Sequence, residues 1–100
     1  LAARADVGHR DKAGETALSH AALKGRTDLL GILAEARADV NWRNERNFTL
    51  LHEAAMRGAA DVVRALLDAR AEVDPRDQLK RTPLHRAAMK GKVESVRALL

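Results

Sequence analysis

A short pattern returns every thirty-three residues in this chain, and that periodicity limits the fold more than any other feature. Thr16, Thr49 and Thr82 stand at the interval, each followed two residues later by a leucine: Leu18, Leu51 and Leu84. Ala21-Ala22, Ala54-Ala55 and Ala87-Ala88 keep the register, as do Gly25, Gly58 and Gly91, then Leu30/Val63/Val96 and Leu33/Leu66/Leu99. A closing phrase follows the second apolar block as Ala38-Asp39-Val40 and Ala71-Glu72-Val73, and the chain opens on Ala5-Asp6-Val7, so the sequence is expected to enter partway through a unit. Repetition at this spacing is the mark of a solenoid, because one small unit cannot bury its apolar face alone and must stack on its neighbours.

Within a unit, Thr82-Pro83-Leu84-His85 reads as a helix start, with threonine capping free N–H groups and proline suited to the first helical position. Gly91 suits the left-handed residue that ends such a helix. A second helix follows at once, its apolar face drawn from Val93, Val96, Leu99 and Leu100, with Glu94 in the first turn where the helix dipole favours an anion. Asp61, Val62, Val63, Leu66 and Leu67 repeat this in the middle unit. The intervals Asp39 to Phe48 and Glu72 to Arg81 are polar and have the length of a tight hairpin loop. The expected fold class is therefore all-α: stacked helix-turn-helix units with projecting β-hairpin loops.

The run Thr82-Pro83-Leu84-His85-Arg86-Ala87-Ala88-Met89-Lys90-Gly91 resembles the ankyrin repeat, as do its weaker copies Thr49-Leu50-Leu51-His52-Glu53-Ala54-Ala55 and Thr16-Ala17-Leu18-Ser19-His20-Ala21-Ala22. The resemblance spans nearly the whole chain and divides it into the end of a preceding repeat at 1–10, repeats at 11–43 and 44–76, and a truncated repeat at 77–100. Leu1 is equivalent by period to Leu67, and Leu99-Leu100 falls inside an amphipathic helix, so a window from a longer array is expected. Ala17 and Leu50 stand where the family usually has proline, and Ser19 where it has histidine, which predicts lower intrinsic stability in the first two units. Arg4, Arg37 and Arg70 replace the family's glycine before Ala-Asp-Val. If the backbone there still takes a positive φ, each arginine costs about 1 kcal/mol relative to glycine. At the hairpin turn the usual glycine is present as Gly14, but Asn47 and Lys80 take its place in the other units.

Chemistry is hard to place on this sequence. With no cysteine, thiol chemistry, disulfides and cysteine-based zinc modules are excluded, and an intracellular setting, cytoplasmic or nuclear, is expected. No stretch is long and apolar enough for a membrane span. The four histidines, His9, His20, His52 and His85, include no pair at the spacing that puts two ligands on one helical face, so no metal is expected. His52 and His85 share a repeat position, where the resemblance implies a hydrogen bond between units. His9 and His20 are read as surface residues. Ser19 and His20 are adjacent and point apart on a helix, so they make no nucleophile and base pair. Glycines are scattered singly, without a phosphate loop, and Asp28, Asp61 and Glu94 recur as helix-start charges. The expectation is no enzyme, no cofactor and no small-molecule substrate.

Binding is the function left. The formal charge is only +4, yet basic residues gather where the resemblance implies that ankyrin partners lie, along the hairpin tips and first-helix ends. Arg10, Lys12, Lys24, Arg43, Arg46, Arg57, Arg76, Lys80, Arg81 and Lys90 fall there against Glu15 and Glu45, with Leu23, Met56 and Met89 as a periodic apolar row and Trp42, Phe48 and Leu79 beside it. The candidate contact surface is Arg43, Arg46, Phe48, Met56, Arg57, Arg76, Leu79, Arg81, Met89 and Lys90, facing an acidic segment of a protein partner. Alternatives are an intramolecular scaffold or autoinhibitory array, and a binder of nucleic-acid phosphates. With aromatics at 2% there is no stacking platform, which argues against the latter.

Overall fold

The computed structural model describes residues 5–100, so the readings for Leu1 and Arg4 lie outside the described residues. Six helices follow in pairs: α1 (Ala17–Leu23) with α2 (Thr27–Glu35), α3 (Leu50–Arg57) with α4 (Ala60–Asp68), and α5 (Pro83–Met89) with α6 (Val93–Leu99). Their boundaries follow from residue chemistry repeated at the period. Thr16, Thr49 and Thr82 cap the first helices, each hydroxyl accepting from the backbone N–H three residues on, at 3.2, 3.3 and 3.2 Å. In the first two units the side chain at that third position answers back: Ser19 Oγ accepts from the Thr16 N–H at 2.8 Å, and His52 Nδ1 from the Thr49 N–H at 3.2 Å. Serine and histidine thus close the reciprocal cap that glutamate more often closes.

Each first helix stops at a glycine with positive φ: Gly25 (71°), Gly58 (77°) and Gly91 (67°). Across that left-handed residue the next N–H returns to the last turn, Arg26 to Ala21 O at 2.9 Å, Ala59 to Ala54 O at 3.0 Å and Lys92 to Ala87 O at 2.9 Å. The second helices carry Asp28, Asp61 and Glu94 in their first turns and have no side-chain cap. They end in the same motif, but with Arg37 (φ 68°) and Arg70 (φ 66°) in the left-handed seat, closed by Ala38 N to Leu33 O and Ala71 N to Leu66 O, both 3.0 Å. The backbone conformation has survived the loss of glycine, at the steric cost expected above.

First helices pack on first helices and second on second, giving two rows along a stack of 48 × 25 × 19 Å. Between the rows lies the core, built of Leu18, Leu30, Leu51, Val62, Val63 and Leu66, with Ala21, Ala54, Ala55 and Ala87 allowing close helix approach. Burying a leucine or valine of this kind contributes about 1.5 to 3 kcal/mol. Stacking sets the burial: Val62, which faces the preceding unit, is 1% exposed, whereas its equivalent Leu29 at the open side of the first unit is 41% exposed. The loops between units carry little sheet. Among the described residues there is no strand, and Arg43 to Thr49 forms one isolated antiparallel bridge. Among the described residues no helix is long and apolar enough to cross a membrane.

Candidate interaction surface

Each loop tip is organised by one short polar side chain. Asp11, Asn44 and Asp77 each present Oδ1 to two backbone N–H groups, Ala13 and Glu15 at 2.9 and 3.0 Å, Arg46 and Phe48 at 2.9 and 3.1 Å, Leu79 and Arg81 at 2.9 and 3.0 Å. A left-handed residue completes each turn: Gly14 at φ 80°, Asn47 at 65° and Lys80 at 62°. The other side-chain atom then reaches the residue nine positions on, tying tip to first helix. Asp11 Oδ2 meets His20 Nε2 at 2.9 Å, Asn44 Nδ2 donates to Glu53 Oε1 at 3.3 Å, and Asp77 Oδ2 receives both Nε and Nη2 of Arg86 at 2.7 Å. These ties are not evident from the sequence; His20 is exposed, as its surface reading expects, and is also paired with Asp11.

The Asp77–Arg86 pair is covered, its side chains 0% and 13% exposed. Burial pushes the Asp77 carboxyl upward, but the Arg81 N–H, the Arg86 guanidinium, the Leu79 N–H and the Arg86 charge together hold it below the usual carboxylate range. Arg86 also lies over the Phe48 ring at 4.9 Å, and Phe48 stacks on the His52 ring at 5.5 Å and 17°. His52 is buried and bonds the Arg81 carbonyl through Nε2 at 2.8 Å, the bond between units that the resemblance implied. Burial lowers its pKa, with the carbonyl opposing, so the ring is neutral near pH 7, with Nδ1 accepting and Nε2–H donating. Its equivalent His85 is exposed on the last unit.

Neighbouring tips are tied as well. Arg43 Nη1 donates to Arg76 O at 2.7 Å and to Asn47 O at 3.2 Å, Gln78 Nε2 to Glu45 O at 3.2 Å, and the Glu72 N–H to Asn41 Oδ1 at 2.8 Å. Arg10 sits 4.8 Å over the Trp42 ring.

Of the ten surface residues singled out from sequence, Arg46, Phe48, Met56 and Arg57 converge with Asn44 and Glu53 on one pocket of about 290 Å³ between the second tip and α3. Arg46 and Arg57 are exposed, and Phe48 and Met56 are half-buried. Arg76 at the end of the second unit and Leu79, Met89 and Lys90 on the third are exposed, Leu79 and Met89 at 65% and 53%. Arg43 and Arg81 are half-buried, the former in the tip contacts above, the latter through its backbone. Glu53 was missed. Its half-buried carboxyl is raised by burial and by the charge of Glu15, against the pull of Arg57 and the Asn44 hydrogen bond.

Compared with known families, the chain matches Ankyrin repeats in three copies, over residues 1–77 and 32–100. The chain belongs to the ankyrin repeat family, whose repeats are generally protein-protein interaction modules and typically non-catalytic. No curated protein matches it.

Proposed function

We propose that this array binds an acidic segment of a partner protein, inside the cell, through Arg43, Arg46, Phe48, Met56, Arg57, Arg76, Leu79, Arg81, Met89 and Lys90. The observation that carries the reading is the pocket on the middle unit, where two exposed guanidiniums stand beside the apolar sides of Phe48 and Met56. Such a site suits a carboxylate-flanked apolar side chain. Arginines at the rim speed the encounter and fix its register, while the apolar floor supplies the part of the affinity that salt does not screen.

The test is affinity capture from nuclease-treated lysate with the array and with its Arg46→Glu, Arg57→Glu variant, followed by salt titration of each captured protein. Proteins carrying acidic segments, held by the parent, lost by the variant and retained in part at high salt, are the expected result. Equal capture by both forms refutes the contact surface. Binding of nucleic acid with a steep salt slope would favour the phosphate reading instead.

A further inference from the structure

The two junctions between units are built differently. Between the second and third units, Phe48, Arg86, Asp77, the Arg81 backbone and His52 close a ring of contacts: the guanidinium lies on the phenyl face, the carboxylate takes the guanidinium, and His52 both stacks on Phe48 and holds the Arg81 carbonyl. One period earlier every side chain of that ring has changed. Ser19 replaces the histidine, and its hydroxyl stays at home, donating to Thr16 O at 2.9 Å. Glu15 stands in place of Phe48 and Glu53 in place of Arg86. Cation on aromatic has become carboxylate near carboxylate, with burial first and then the charge of Glu15 raising the pKa of Glu53.

Packing follows the chemistry. A gap of about 210 Å³ lies between Ala22 and Leu23 on one side and Leu50, Ala54 and Val62 on the other. A wider, open groove of about 530 Å³ runs between the first tip and the second. Apolar packing crosses this junction through the core, but the polar side-chain contacts across it, Arg10 over Trp42 and Arg57 Nη1 to Leu23 O at 3.5 Å, are made by exposed arginines, and a cation over an aromatic ring is a weak contact in water.

We propose that the junction between the first and second units is a hinge: α1 and α2 open away from α3 to α6, which hold together as one block. The binding surface then has a fixed part on the middle and third units and an adjustable margin carrying Arg10, Lys12 and Lys24. The hinge rests on the geometry of the free chain and stands or falls independently of the acidic-partner reading.

Native-state hydrogen exchange of the whole chain tests it. The first and third units both end the described stack, so fraying of ends alone predicts equal exchange in α1–α2 and α5–α6. The hinge predicts that α1–α2 amides exchange about tenfold faster than both α3–α4 and α5–α6. Equal rates at the two ends overturn the proposal. A second arm uses Ser19→His, with Ser19→Ala as control. Phe48 O accepts the Asn44 N–H at 3.0 Å, as Arg81 O accepts that of Asp77 at 3.0 Å, so a carbonyl lone pair stands ready for the new ring. The histidine should slow α1–α2 exchange about fivefold, the worth of one net hydrogen bond, and the alanine should not. Conversely, His52→Ser keeps the cap that Thr16 and Ser19 demonstrate and should release α5–α6 alone. Unchanged exchange in both variants would show that the histidine bridge does not set the coupling.

Discussion

Asp77 is the residue whose removal tests the most physics at once. Its carboxylate performs two separable tasks, accepting from the Leu79 and Arg81 N–H groups with Oδ1 and neutralising Arg86 with Oδ2. The second unit shows how to separate them, since Asn44 accepts the same two backbone bonds without a charge. Asp77→Asn should therefore keep the turn and lose the ion pair. With both side chains almost withdrawn from water, the stranded guanidinium makes the loss about 3 kcal/mol, the lower end for breaking a buried pair. Asp77→Ala also orphans two N–H groups and should cost at least about 1 kcal/mol more. Urea unfolding followed by far-ultraviolet circular dichroism measures both. The pH dependence fixes the cause. Because the folded pKa lies below the unfolded value of about 3.9, the contribution is fully present above that value and disappears as pH falls through the lowered folded pKa. The gap between parent and Asp77→Asn should be constant from neutral pH down to about 4 and close below it. A gap under about 0.5 kcal/mol at neutral pH, or one that persists in full acid, would refute the assignment of a charge-bearing buried pair.

Two further substitutions test the packing. Leu66 is fully buried between α4 and its neighbours, and Leu66→Ala should destabilise the stack by about 2 to 5 kcal/mol in the same urea assay, an unchanged midpoint ruling out its core role. Ser95 is also fully buried, where the previous unit has Val62, and its hydroxyl has no partner. Ser95→Ala should thus raise stability by about 1 kcal/mol, and a fall in melting temperature would show that the hydroxyl is satisfied.

The stack was legible in the sequence because its determinants are local and repeat in kind. A threonine that caps, a glycine that stops and an apolar pair in register each act within a few residues, so the period multiplies the same signal. Even the unusual residues obeyed: Arg37, Arg70, Asn47 and Lys80 all hold positive φ because the neighbouring bonds impose it. The surface was less legible for a related reason. The tie from tip to helix recurs at the period, but as Asp11–His20, Asn44–Glu53 and Asp77–Arg86 it changes from carboxylate and imidazole to amide and carboxylate to carboxylate and guanidinium, so a search by residue type passes over it. The role of Phe48 between His52 and Arg86 depends on a side chain thirty-eight residues away, 48 to 86, which only the stacking brings near.

Those cross-unit contacts divide the basic row into two kinds of residue. A guanidinium that holds a carbonyl of the next tip, as Arg43 does, is fixed by the stack and offers a partner only its remaining donors. Arg46 has no such tether, and Arg57 reaches Leu23 O only at 3.5 Å, the outer limit of a hydrogen bond. Arg46 can reorganise around a carboxylate without loosening the units and Arg57 gives up only that long contact to the first unit, whereas Arg43 would have to give up a 2.7 Å bond. The same division applies to the apolar groups. Phe48 is held by two neighbours, His52 and Arg86, and would meet a partner as a rigid wall, while Met56 beside it keeps the torsional freedom of an unbranched side chain. On the proposed reading, a pocket with one fixed wall, one adaptable wall, two exposed cations and the half-buried Glu53 would discriminate by charge pattern first and by the shape of the apolar side chain second. If the proposed hinge operates next to it, this pocket would accept segments of differing length by movement of the first unit while the block of the second and third keeps its geometry.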